Sequence, residues 1–101
     1  MVTVEDSKPT LAEVRSHLDA IDEALVAVLA ERSLLIGEVI RFKRTFAMGE
    51  ADRSREDEML SNIEMVATSK GLDPRIARQV LRAVIGSFTL LEVEELGAEE
   101  S

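Results

Sequence analysis

LAEVRSHLDAIDEALVAVLAERSLLIGEVIRFKR, residues Leu11 to Arg44, is a long amphipathic segment with no Pro and a single Gly, Gly37. Its apolar residues fall at Leu11, Val14, Leu18, Ile21, Leu25, Val28 and then Leu35 and Val39, the three-and-four spacing of one helix face. Arg32 lies on the same line. Lys43 falls within about 20° of it, because eleven residues at about 100° each come almost full circle. Cations on the buried side of a helix require anionic partners, since an unpaired buried charge is too costly to keep.

At about 1.5 Å per residue the segment is roughly 50 Å long, beyond the width of an ordinary globule of this chain length. One chain cannot bury such a stripe alone. Either a second copy lies alongside it or the helix bends back on itself, and only Gly37 invites a break.

The rest of the composition narrows the class. A chain of 101 residues is one domain with a modest core. Hydrophobic residues at 46% exclude disorder, and only 3% aromatic residues, with Ala, Leu, Glu, Arg and Val prominent, point to helices. The net charge of -8 argues against a nucleic-acid or anionic membrane surface. It also makes local clusters of Arg and Lys more informative, because a small anion needs a dedicated basic pocket in a repulsive field. There is no Cys, which removes disulfides and thiolate chemistry. His17, the one imidazole, sits among polar neighbours as a solvated helix-face residue, so no metal site is expected. The opening MVTVEDSKPT lacks the features of a secretory signal, and no apolar run reaches membrane-spanning length. A cytoplasmic location is the expectation.

In chain order, residues 1–10 read as a polar arm whose Thr10 caps the long helix. Periodicity is lost from Arg44 to Asp52, around Gly49, which marks a connection. A second helix follows, capped by Asp52 or Ser54, with Met59, Leu60, Ile63 and Val66 as its apolar face and Gly71 closing it. Asp73-Pro74 starts a third helix, cap first and Pro in the first turn. Its face reads Ile76, Val80, Leu81, Val84, Ile85, Phe88 and Leu91. Glu92 continues this stripe, a carboxylate where an apolar residue belongs. The domain thus spans 11–96, with an acidic tail over 97–101.

Asp52, Arg55 and Glu56 are spaced to share one face at the start of the second helix. Together with Arg32, Lys43 and Glu92 they indicate a polar pocket enclosed by helices. Arg15 stands about 25 Å from Arg32 and about 42 Å from Lys43 on a straight helix, whereas an extended Arg side chain reaches roughly 7 Å. It cannot share a pocket with Lys43 of its own chain, but it can reach the pocket of an antiparallel partner. Arg41, Arg44, Arg75, Arg78 and Arg82 are expected on solvated faces.

VRSHLDAIDEALVAVLAER, EVIRFKR, DRSRE and LDPRIARQVLRAVIGSF, in this order, resemble the all-helical, AroQ-class chorismate mutases over residues 11–96. The resemblance implies an all-α fold, a three-helix chain with a very long first helix, intertwined as a homodimer with two equivalent sites. It also implies a cofactor-independent isomerase of the shikimate pathway, with Arg15 donated by the partner subunit and Arg32 binding a substrate carboxylate from within the subunit. Lys43 then faces the ether oxygen and Arg55 the other carboxylate, while Asp52 and Glu56 hold the ring C4 hydroxyl.

Two positions depart from the family's pattern. Where many members carry a Gln that donates to the ether oxygen, this chain has Glu92, which donates only when protonated. Where a Ser often helps bind a carboxylate, Phe88 aligns, with Ser87 one residue earlier. A bulky aromatic there, and the string Arg41-Phe42-Lys43, resemble isochorismate-pyruvate lyases of the same fold, whereas Asp52 to Glu56 resemble the mutases. Three catalytic readings therefore stand: chorismate, 4-amino-4-deoxychorismate or isochorismate as substrate. A non-catalytic helical dimer is the remote alternative.

Overall fold

A computed structural model describes residues 8–45 and 53–100. Three helices follow in order: α1 over Leu11–Thr45, α2 over Arg53–Ser69 and α3 over Pro74–Glu100. No strand occurs among the described residues. The connection around Gly49, with Asp52, lies outside them.

The start of α1, the end of α2 and the start of α3 are made by the residues expected, whereas α2 begins at Arg53, which puts Ser54 inside the helix and not at its cap. Thr10 caps α1, its Oγ1 accepting from the Glu13 N–H at 3.2 Å, and Gly37 does not interrupt the helix. At the end of α2 the Leu72 N–H reaches the Ala67 carbonyl at 2.9 Å and the Gly71 N–H reaches that of Thr68 at 3.2 Å. This paired closure needs a left-handed residue, and Gly71 supplies it with φ of 79°, a conformation that costs a side-chain-bearing residue about 1–2 kcal/mol. Asp73 caps α3 by accepting from the Arg75 N–H at 2.9 Å. The Arg75 guanidinium is the larger of the influences that hold its carboxyl below the usual range, and that backbone bond is the second.

Two compact units divide inside α1, Met1–Leu34 and Leu35–Ser101. Within the first, the helix is exposed on all sides except at Arg32, which is half-buried. Leu18, Ile21 and Leu25 each leave more than half of their surface uncovered. Within the second, α2 packs along α3, and the core consists of Ile40, Leu60, Ala67, Ala77 and Ile85.

The covered faces differ from the sequence reading in detail. On α1 the covered residues of the second unit are Ile36, Ile40 and Lys43, whereas Leu35 and Val39 are exposed. About the helix axis these two sets flank the line through Lys43, so the apolar stripe is wide and the chain covers one edge of it. On α3 the covered line is Ala77, Leu81, Ile85, Phe88 and Glu92, while Ile76, Val80 and Leu91 face outward, as does Val66 on α2. Ala67 and Ala77 are among the most buried residues of α2 and α3, small side chains where the sequence reading expected larger ones. Helix α3 also continues to Glu100, past residue 96 where the sequence reading ends the domain, since Glu and Ala favour helix. Among the described residues no helix is long and apolar enough to cross a membrane.

Candidate active site

Two of the three charges that intrude on apolar stripes, Lys43 and Glu92, meet inside the second unit. Lys43 Nζ, near the end of α1, donates to Glu92 Oε1 on α3. Their side chains are 17% and 9% exposed, so each charge has left most of its water and is offset chiefly by the other. The sequence requires this outcome: a cation at position 43 and a carboxylate at position 92 are tolerable on buried faces only as partners. Just outside this pair Arg44 donates to the Glu95 carbonyl at 2.9 Å, and its guanidinium lies 3.6 Å from the Glu95 carboxylate. The end of α1 is thus tied to α3 by two successive basic residues.

Glu56, in the first turn of α2, is half-buried. One of its oxygens accepts from Thr89 Oγ1 of α3 at 3.3 Å. Glu56, Asp57 and Leu60 of α2 and Arg82, Ile85, Gly86 and Thr89 of α3 line a groove between the two helices. Further along the same helix pair, Arg78 donates to Glu64. Arg44, exposed as expected, and Arg78, which is half-buried, therefore both make interhelical contacts, because each sits opposite a carboxylate or carbonyl of the neighbouring helix. Arg41 and Arg75 are solvent-exposed, each beside an acid of its own segment.

Of the other expected site residues, Arg55 is exposed, Phe88 is half-buried and Ser87 is exposed. The Ser87 hydroxyl donates to the Ala83 carbonyl of its own helix at 2.9 Å, and Phe88 is the member of that pair turned toward the packed side. Arg15 and Arg32 belong to the first unit, Arg15 exposed and Arg32 half-buried. Asp52 lies outside the described residues. Thr89 was not singled out by sequence reasoning. Its place three residues before Glu92 and four after Ile85 is the signal that could have found it.

The chemistry available to this arrangement is electrostatic. A sequestered ammonium with three donor directions and two carboxylates on facing helices can hold charged or hydrogen-bonding groups of a ligand. Among the described residues no group of three or more His, Cys, Asp or Glu is placed to hold a metal ion.

A T-protein of Enterobacter agglomerans is 32% identical over 75 residues, covering 74% of this chain and 20% of that protein. The chain thus spans about a fifth of the length of that curated relative. No solved structure matches the chain. The family model for chorismate mutase type II matches residues 14–93. An all-helical chain with a long first helix, carrying its unusual charges at the spacing described, and matched by that model over most of its length, belongs to the chorismate mutase type II family.

Proposed function

We propose that this chain is a chorismate mutase, converting chorismate to prephenate. The observation that carries the reading is the Lys43–Glu92 pair, a charge arrangement buried where a purely structural bundle would place apolar residues. Chorismate carries two carboxylates and rearranges by a [3,3] shift: the ether C–O bond breaks as a C–C bond forms, with no proton transfer and no covalent intermediate. The reaction needs anchors that hold the enolpyruvyl arm over the ring, so that conformational freedom is lost on binding and not in the transition state. It also needs a fixed cation where negative charge grows on the ether oxygen. Lys43 is that cation. Arg32, Arg55 and a partner's Arg15 anchor the carboxylates, and Asp52 and Glu56 take the C4 hydroxyl. Ser87 and Phe88 border the site.

Glu92 assists only when protonated, because an ionised carboxylate beside the ether oxygen opposes the growing charge.

The active form is an intertwined homodimer, supported by the uncovered apolar residues along the first unit of α1. A cytoplasmic location accords with a chain that has no Cys. No cofactor is required by the chemistry.

A second reading, favoured by the carboxylates of Glu56 and Glu92, is 4-amino-4-deoxychorismate as substrate, whose C4 ammonium such acids would match by charge. The half-buried Phe88 and the string Arg41-Phe42-Lys43 are the features on the side of isochorismate-pyruvate lyase. Turnover of purified protein with chorismate, 4-amino-4-deoxychorismate and isochorismate separates the three. Higher kcat/KM on chorismate is expected; turnover of none would leave a non-catalytic helical dimer.

A further inference from the structure

Hydroxyls within helices ordinarily turn back on a carbonyl of the preceding turn. Thr45, Thr68, Ser69 and Ser87 do so here, at 2.7 to 3.0 Å. Thr89 does something else: it donates across the α2–α3 interface to Glu56 Oε1 at 3.3 Å. It stands three residues before Glu92, about 4.5 Å along α3 and about 60° around it. A single side chain therefore links the first-turn carboxylate of α2 to the line on α3 that carries the partner of Lys43. Gly86, one turn earlier in the same groove, leaves open space where a Cβ would be, so the approach to Glu56 from that side is uncrowded.

We propose, resting on the mutase reading above, that Thr89 is a positioning residue whose hydroxyl holds one oxygen of Glu56 and so presents the other to the C4 substituent of the substrate ring. The terminal torsion of a Glu side chain is broad, and one donor fixes the plane of its carboxylate. A length of 3.3 Å is long for a hydroxyl donor, so the restraint on Glu56 is a modest one. Orientation matters most to a neutral hydroxyl at C4, which has one proton to give and needs an aligned acceptor. An ammonium has three protons and a full charge, and tolerates a misaligned carboxylate. Thr89 thereby favours hydroxylated over aminated substrate.

Steady-state kinetics on the purified protein tests this. Thr89→Val removes the hydroxyl and keeps the shape; kcat/KM for chorismate should fall about three- to tenfold, the size of one ordinary hydrogen bond, as suits a contact of 3.3 Å. Thr89→Ser should restore it to within about twofold, and the loss on 4-amino-4-deoxychorismate should be smaller than on chorismate. In a Glu56→Ala background, Thr89→Val should add little further loss. Equal losses on both substrates, failure of Ser to rescue, or full additivity with Glu56→Ala would overturn the role of Thr89 while a parent protein that turns over chorismate keeps the mutase reading. A parent that turns over neither substrate overturns both.

Discussion

Replacing Lys43 by Met separates what the Lys43–Glu92 pair does for the fold from what it does for a substrate. Met keeps the unbranched stem and removes the charge, leaving Glu92 with its side chain only 9% exposed and without its cation. Removing one member of a buried ion pair costs about 3–5 kcal/mol, because the survivor stays buried and uncompensated. The residual exposure of Lys43, 17%, puts this pair at about 3 kcal/mol, the lower end of that range. For a domain of this size each kcal/mol lowers Tm by about 4–8 °C, so Lys43→Met should melt at least about 10 °C below the parent. Adding Glu92→Gln removes the stranded charge, and the double variant should recover most of that loss. Turnover should not recover. Losing one preorganised donor at a developing oxyanion costs about 10²–10³ in kcat, and the neutral amide introduced by Glu92→Gln is no substitute for an ammonium. Melts followed by circular dichroism and the disappearance of chorismate absorbance read the two effects on the same samples. A double variant that melts as low as the single one would refute the account of the pair as mutual compensation. A folded Lys43→Met protein with parental kcat would refute its catalytic role.

Four further outcomes follow from the same structure. Arg15→Ala and Lys43→Ala proteins, each inactive alone, should regain about a quarter of parental activity when unfolded and refolded together, because half of the molecules are then mixed dimers with one intact site; no recovery in mixtures that contain dimers would remove the partner's Arg15 from the site. Gly71→Ala should destabilise the protein by about 1 kcal/mol in denaturant titrations, since its φ of 79° is left-handed. Gly37→Ala should do the reverse by a similar amount, because its Cβ meets only open space in a helix interior. Asp73 is held below the usual carboxylate range by Arg75, so its contribution is complete above the ordinary Asp pKa and is lost as pH falls through the lowered one. Asp73→Ala should accordingly lower Tm at neutral pH, with the difference from the parent shrinking in strongly acidic buffer.

The helix ends were legible because their signals are local. Thr10, Gly71 and Asp73-Pro74 act on backbone groups within one turn of themselves, and α1 ends at Thr45, one residue beyond the reading. Lys43 and Glu92 were legible for a different reason: a charge on an apolar stripe breaks a rule strong enough to demand a partner. Sequence did not show which edge of a wide stripe is covered. Leu35 and Ile36 are equally apolar, and only the position of the neighbouring helices makes one exposed and the other half-buried. Ala67 and Ala77 escaped notice because a small residue announces nothing about burial. Thr89 escaped because a helical Thr normally satisfies its own hydroxyl locally, and Arg44 and Arg78 because isolated basic residues are most often solvated.

The pairing of Lys43 with Glu92 spans 49 residues of sequence, whereas α2 and α3 adjoin through a short turn closed by Gly71. Closing a long loop costs entropy before any contact repays it, and local hairpins form sooner than distant pairings. The helical hairpin is therefore expected to assemble early in folding, before the first helix brings its ammonium to the waiting carboxylate. Its charge centre is completed last, so a nascent chain holds no gripping site for a dianion until the rest of its architecture is in place.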